Sequence, residues 1–189
     1  MAGIHKKFEN KIKIDLYRKK MKRITILTFC CILSFSINSI LGNDQVDQLL
    51  EKARTANNDK DYQNCFDYAM EAYMLDKENP KAYLFMGLAL EAMGKDKDAL
   101  EVLNKSIQYA GGDKKILGQA YLTMAKSMSN LGNTEEALNT VNKGMTYDDT
   151  DAYNYALRGW LLKDTQWDKA KKDLKKAFQL DPNNVDLCE

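Results

Sequence analysis

A unit of about 34 residues recurs along this chain, with four extra residues in one of the spacings. Met93-Gly94-Lys95-Asp96-Lys97-Asp98-Ala99-Leu100 is matched by Leu131-Gly132-Asn133-Thr134-Glu135-Glu136-Ala137-Leu138. Each copy is an apolar residue and a glycine, a short polar turn, then Ala-Leu opening a second apolar stripe. A period of this length means stacked helix-turn-helix units. One helix pair cannot bury its apolar face alone, so neighbours must stack, and stability becomes nearly a sum of nearest-neighbour contributions. The expectation for function is that such a stack holds another chain.

The unit starting at Pro80 places Tyr83, Met86 and Gly87 at positions 4, 7 and 8, with Leu90, Ala99, Leu103 and Ser106 at 11, 20, 24 and 27. The unit starting at Gly118 puts Tyr121, Met124, Ala125, Met128, Ala137, Val141 and Gly144 in the same slots. A unit near Ala152 keeps Tyr155 and Gly159 but has Arg158 at the large apolar position 7. It loses one residue before Ala170, Leu174 and Ala177, and ends at Asp181-Pro182. The unit from Val46 retains Leu49, Ala53, Ala56, Cys65, Ala69 and Ala72 but lacks the aromatic and the glycine.

This pattern resembles the tetratricopeptide family over roughly residues 46–182. The resemblance implies an all-α fold, a right-handed superhelical solenoid of antiparallel helix pairs. It divides a domain of residues 43–189 into units near 46–79, 80–113, 118–151 and 152–184. The four extra residues fall between the second and third units, where the stacking angle is set. Small residues at 8, 20 and 27 let backbones approach, and large ones at 4, 7, 11 and 24 fill the space between helices at i, i+3, i+4 and i+7 spacing. Tyr83, Tyr121, Met86, Met124 and Met128 are therefore expected in the core.

In this family the first helix of each unit lines the inner surface, and positions 2, 5, 9 and 12 point into the groove. The resemblance carries those positions to Asp47, Leu50, Arg54 and Asn57 in the first unit, and to Lys81, Leu84, Leu88 and Glu91 in the second. It carries them to Gln119, Leu122, Lys126 and Ser129 in the third, and to Tyr153, Ala156, Trp160 and Lys163 in the fourth. Stacking does not need apolar residues at these positions. Leu84, Leu88, Leu122, Tyr153 and Trp160, rimmed by Arg54, Glu91, Lys126 and Lys163, are thus the expected partner-binding groove for a protein or peptide segment. Some relatives clamp acidic chaperone tails with a Lys/Asn/Arg set; Leu50, Arg54, Phe85, Gln119 and Thr123 here depart from it, so that use is not expected.

The formal charge of +1 hides an asymmetry. Residues 1–42 carry nine Lys/Arg against two Asp/Glu, and the rest carry 19 against 25, a net of −6. An acidic repeat region does not suit nucleic acid, which needs a dense positive face. The local exception is Lys169, Lys171, Lys172, Lys175 and Lys176, which reads as a solvated helix face. Lys22-Arg23 precedes an uncharged, mostly apolar stretch from Ile24 to Leu41, then Gly42. That pattern reads as a secretory signal peptide over about 21–42, with Met21 as an alternative start. The competing expectation is an uncleaved membrane anchor over 24–41. Export to the periplasm or outside the cell is expected in the first case, membrane attachment in the second.

After cleavage only Cys65 and Cys188 remain of four cysteines, and Cys65 in a small-residue slot is expected to be a buried thiol. The one histidine, His5, lies in the removable segment, so a Ser-His-Asp or Cys-His arrangement has no imidazole. Gly111-Gly112 lacks the Gly-Lys-Ser/Thr of a phosphate loop. Asp148, Asp149 and Asp151 lack the ligand spacing of a calcium loop and read as helix capping ahead of Ala152. No enzyme activity, cofactor, small-molecule substrate or metal is expected. The last helix, with Leu174, Phe178 and Leu180, is expected to keep apolar surface exposed, and the alternative role is a membrane-anchored assembly or structural factor that self-associates through it.

Overall fold

A computed structural model of the chain describes residues 44–183. Residues from Gln45 onward form one compact unit; the other, Met1–Asp44, lies outside the described residues but for Asp44. The expected targeting segment and Cys188 therefore fall outside the described residues.

The described residues hold helices and no strand. Helix α1 covers residues 44–58. It is followed by α2 (Tyr62–Leu75), α3 (Pro80–Ala92), α4 (Asp96–Tyr109), α5 (Lys114–Asn130), α6 (Thr134–Met145), α7 (Ala152–Leu162) and α8 (Trp167–Leu180). From α2 onward each helix packs on the next, and α3 packs on α5 and α5 on α7 as well. The odd-numbered helices thus form an inner layer and the even-numbered ones an outer layer, a solenoid of helix pairs.

The helix ends follow from the sequence. Asn79, Asp113 and Asp151 cap α3, α5 and α7, each accepting from backbone N–H groups of the first turn. Pro80 opens α3, where its missing N–H costs nothing. The outer helices α4, α6 and α8 have no side-chain cap; acidic residues in the first turn, such as Asp96, Glu135 and Asp168, meet the helix dipole instead.

Close packing uses the small positions as expected. Ala99, Ala125, Ala137, Ala170 and Ser106 are fully buried. The Ser106 hydroxyl donates to the Pro80 carbonyl at 2.8 Å, so this buried polar group is paired. Cys65 is also fully buried, and its thiol donates to the Phe85 carbonyl at 3.7 Å. Burial, with Asp61 nearby, pushes that thiol up to about 11, so Cys65 is a packing residue and not a nucleophile. In the second and third units the position-4 tyrosine stacks on a tyrosine at position 30 of the same unit: Tyr83 on Tyr109 and Tyr121 on Tyr147, with centroids 5.7 Å apart in both pairs.

Two departures from the pattern have physical causes. The four extra residues extend α5 instead of interrupting the stack. Capped by Asp113, they add one N-terminal turn whose Ile116 and Leu117 are buried against Leu84 and Leu103. The missing glycine of the first unit is the other. In the second and third units Gly94 (φ 73°) and Gly132 (φ 83°) close the inner helix in the left-handed region. The Lys95 N–H bonds to the Leu90 carbonyl and the Asn133 N–H to the Met128 carbonyl, which makes each a Schellman turn. The first unit repeats that turn, with the Asp61 N–H on the Ala56 carbonyl at 2.8 Å, but places Lys60 at φ 60°. A side chain there costs about 1 kcal/mol. Lys60→Gly is therefore expected to raise stability by roughly that amount, read as a higher urea midpoint at unchanged m-value.

Candidate partner-binding groove

The inner helices α1, α3, α5 and α7 line two adjoining concavities of about 700 Å³ each. Arg54, Leu84 and Leu88 line one. Leu88 continues into the other with Glu91, Leu122, Lys126, Tyr153 and Trp160. Leu88 and Gln119 face both, so the two concavities form one trough across four helices.

The apolar residues play two parts. Leu84 and Leu122, 3% and 9% exposed, are the floor and belong mostly to the core. Tyr153 and Trp160, 39% and 49% exposed, stand out as walls, with half-buried Leu88 between them and the floor. Leu84 is covered from the first turn of α5 by Ile116 and Leu117, which pack in the same buried cluster.

The charged rim is largely paired within the protein. The Lys126 ammonium bridges from α5 to the Glu91 carboxylate on α3 at 3.3 Å. Arg54 pairs with Glu51 one turn back, both side chains well exposed. Lys163 lies outside both linings; its ammonium sits 4.5 Å from the Trp160 ring centroid and holds that ring as a cation–π pair. Ser129 lies outside both linings too, although position 12 of the repeat implies the groove.

Some lining residues were missed by position counting. Lys115 and Ile116 reach the trough because α5 begins a turn early. Asn58 and Lys60 reach it from the first Schellman turn. Asp151 lines it while accepting the Tyr153 N–H at 2.9 Å. Burial raises the Asp151 carboxyl above the ordinary range. Nearby Asp148 is lowered, chiefly by the Thr150 hydroxyl donating to it at 2.7 Å. The aspartate cluster is thus a pair of local caps, and no metal-binding group of His, Cys, Asp or Glu occurs among the described residues.

Residues 80–113 match the model of the tetratricopeptide repeat, and they coincide with the α3–α4 unit and its turn. Residues 80–113 of this chain are a tetratricopeptide repeat. Solved structures share the fold. A tetratricopeptide-repeat protein from Thermus thermophilus matches with a TM-score of 0.63 at 15% identity, over 76% of this chain and 77% of that one. MamA from Desulfovibrio magneticus RS-1 matches with a TM-score of 0.58 at 20% identity, over 76% and 80%. The Cut9–Hcn1 hetero-tetramer of APC/C gives 0.68 at 12% identity, over 76% of this chain and 28% of that one. At these identities the likeness is one of fold. No curated protein matches the chain. The repeat pattern extends to the neighbouring units, since positions 8, 20 and 27 are buried in the third and fourth repeats as in the second.

Proposed function

We propose that this tetratricopeptide-repeat protein is a non-enzymatic scaffold that holds a protein or peptide segment in the trough lined by α1, α3, α5 and α7. The observation that carries this reading is Trp160. It is a large aromatic, half exposed, held in place by Lys163, and facing a concavity that Leu88 shares. Packing within the repeat does not account for so much exposed aromatic surface beside another apolar wall, Tyr153. Aromatic side chains set in a concavity are the usual anchors of protein recognition. The internally paired rim supports an occupant chosen by shape and apolar contact more than by net charge.

Export is part of the proposal. It rests on the basic Lys22-Arg23 ahead of the uncharged stretch from Ile24 to Leu41. No helix among the described residues is long and apolar enough to cross a membrane. N-terminal sequencing of the mature protein tests this part: a start near Asn43 supports export with cleavage, and a retained Ile24 to Leu41 supports anchoring.

The groove is tested by affinity capture from the native extract. Trp160→Ala and Leu88→Ala are each expected to weaken capture of the partner about tenfold or more, with far-ultraviolet circular dichroism unchanged. Equal capture by wild type and both variants would remove the groove as the binding surface.

A further inference from the structure

The two ends of the repeat stack differ in chemistry. On the inner helices, positions 3, 6 and 10 meet the preceding unit. They are Ala82, Phe85 and Ala89 in the second repeat and Ala120, Thr123 and Ser127 in the third, all buried except the half-buried Phe85. The same positions on α1 hold Gln48, Glu51 and Thr55, all exposed. The α1 end is therefore finished with a polar face. The α8 end is not. Position 24 is Leu103 and Val141 in the second and third repeats, both 0% exposed, because α5 and α7 cover them. Its counterpart Leu174 is 36% exposed. Position 28 is half-buried Ile107 and Met145 in those repeats, and Phe178, 58% exposed, in the fourth. Trp167, 61% exposed, lies on the same side of α8, since residues seven and eleven apart share a helix face.

Charge selects the occupant. Position 21 is Leu100 and Leu138 where a following helix covers it, and Lys171 on α8. Lys175, one turn on, replaces Asn104 and Asn142. Together with Lys169, Lys172 and Lys176 they give α8 five lysines against two aspartates, on a repeat region that is otherwise acidic. One of the aspartates, Asp173, is turned inward to Arg158. Lys171 and Lys175 form no ion pair within the described residues. A neutral apolar helix would bury Lys171 unpaired, and a second copy of α8 would set lysines against lysines.

We propose that the exposed face of α8, Trp167, Leu174 and Phe178 bordered by Lys171 and Lys175, docks an acidic amphipathic helix of another protein. The apolar side of that helix covers Leu174 and Phe178 as α5 covers Leu103 and Ile107. Its flanking carboxylates meet Lys171 and Lys175. This surface is separate from the trough and does not depend on the trough's occupant.

The chain has two tryptophans, so Trp160→Phe in the full-length protein leaves Trp167 as the sole indole reporter. The probes are two synthetic amphipathic helices with leucine at i, i+3, i+4 and i+7, one flanked by glutamate and one by lysine. The glutamate peptide is expected to shift Trp167 emission to the blue with saturation, and to bind at least about tenfold more tightly than the lysine peptide at low salt. The double variant Lys171→Glu, Lys175→Glu, whose substituted side chains are exposed, is expected to reverse the preference. Four results would overturn the proposal. They are equal binding of both peptides, no emission shift with either, and a shift with phosphatidylglycerol vesicles but not with the glutamate peptide. The fourth is a shift that follows protein concentration without peptide, which would assign the face to a second copy.

Discussion

Asp173→Ala is expected to lower the unfolding free energy by about 3 kcal/mol. Arg158 occupies position 7 of the fourth repeat, where the second and third repeats have Met86 and Met124. Its guanidinium forks onto Asp173: Nε donates to one carboxylate oxygen at 2.7 Å and a terminal nitrogen to the other at 2.8 Å. A further N–H reaches the Asn142 side chain on α6 at 3.0 Å. The charge-assisted bonds to Asp173 hold the guanidinium above its ordinary pKa. Only 25% of the Arg158 side chain and 12% of that of Asp173 reach solvent. Removing the carboxylate leaves a cation in a packed interface between three helices, and partial solvent access keeps the loss at the low end of the range for buried pairs.

Removing both charges has a different result. Arg158→Met with Asp173→Val installs the residues that stand at the same positions in the second repeat, Met86 and Val102. That double variant is expected within about 1 kcal/mol of wild type, because apolar contact replaces both the attraction and its desolvation cost. Urea unfolding of the three proteins decides. A single variant as stable as wild type would mean that the pair contributes nothing.

Gly87→Ala is expected to lose about 2 kcal/mol, although Gly→Ala inside a helix ordinarily gains up to about 1 kcal/mol. A Cβ at Gly87 would lie 2.5 Å from Cγ and Cδ2 of Leu103. Leu103 is 0% exposed and packed against Leu84, Ile116 and Leu117, so it cannot swing away. The clash forces α3 and α4 apart at the contact that defines the second repeat. Combining Gly87→Ala with Leu103→Val returns part of that space, and the double variant is expected to be more stable than the sum of the two singles by about 1 kcal/mol. A stabilised Gly87→Ala protein would show that position 8 is not a close-approach site.

Much of this fold was legible in the sequence because repeats compare a chain with itself. Three glycines or alanines at position 8 and three alanines at position 20 point to one packing geometry, and all are buried. The trough was legible for the same reason: once the inner helices are set in register, positions 2, 5 and 9 follow. Where the register breaks, counting fails. The extra turn of α5 brings Lys115 and Ile116 into the trough, because Asp113 caps a helix four residues before the repeat boundary. Leu84 and Leu122 were legible as groove residues but not as its floor, since burial at position 5 depends on how tightly neighbouring helices pack. The Arg158–Asp173 pair was half legible. Arg158 stood out at an apolar position, but its partner lies fifteen residues away on another helix, and no local spacing rule connects them. Lys60 shows the reverse case: the backbone keeps a left-handed turn after the glycine that favours it is gone, because Asp61 still closes on the Ala56 carbonyl.

The central claim is that the inner wall, and not the outer one, grips the partner. A photo-reactive residue placed at Leu88 is to be compared with one at Glu101, which is exposed on the outer helix α4. Each protein is irradiated in the native extract, and the cross-linked product is identified by mass spectrometry. The groove account predicts a cross-linked partner from position 88 and none from position 101. The same partner cross-linked from position 101 and not from position 88 would contradict it.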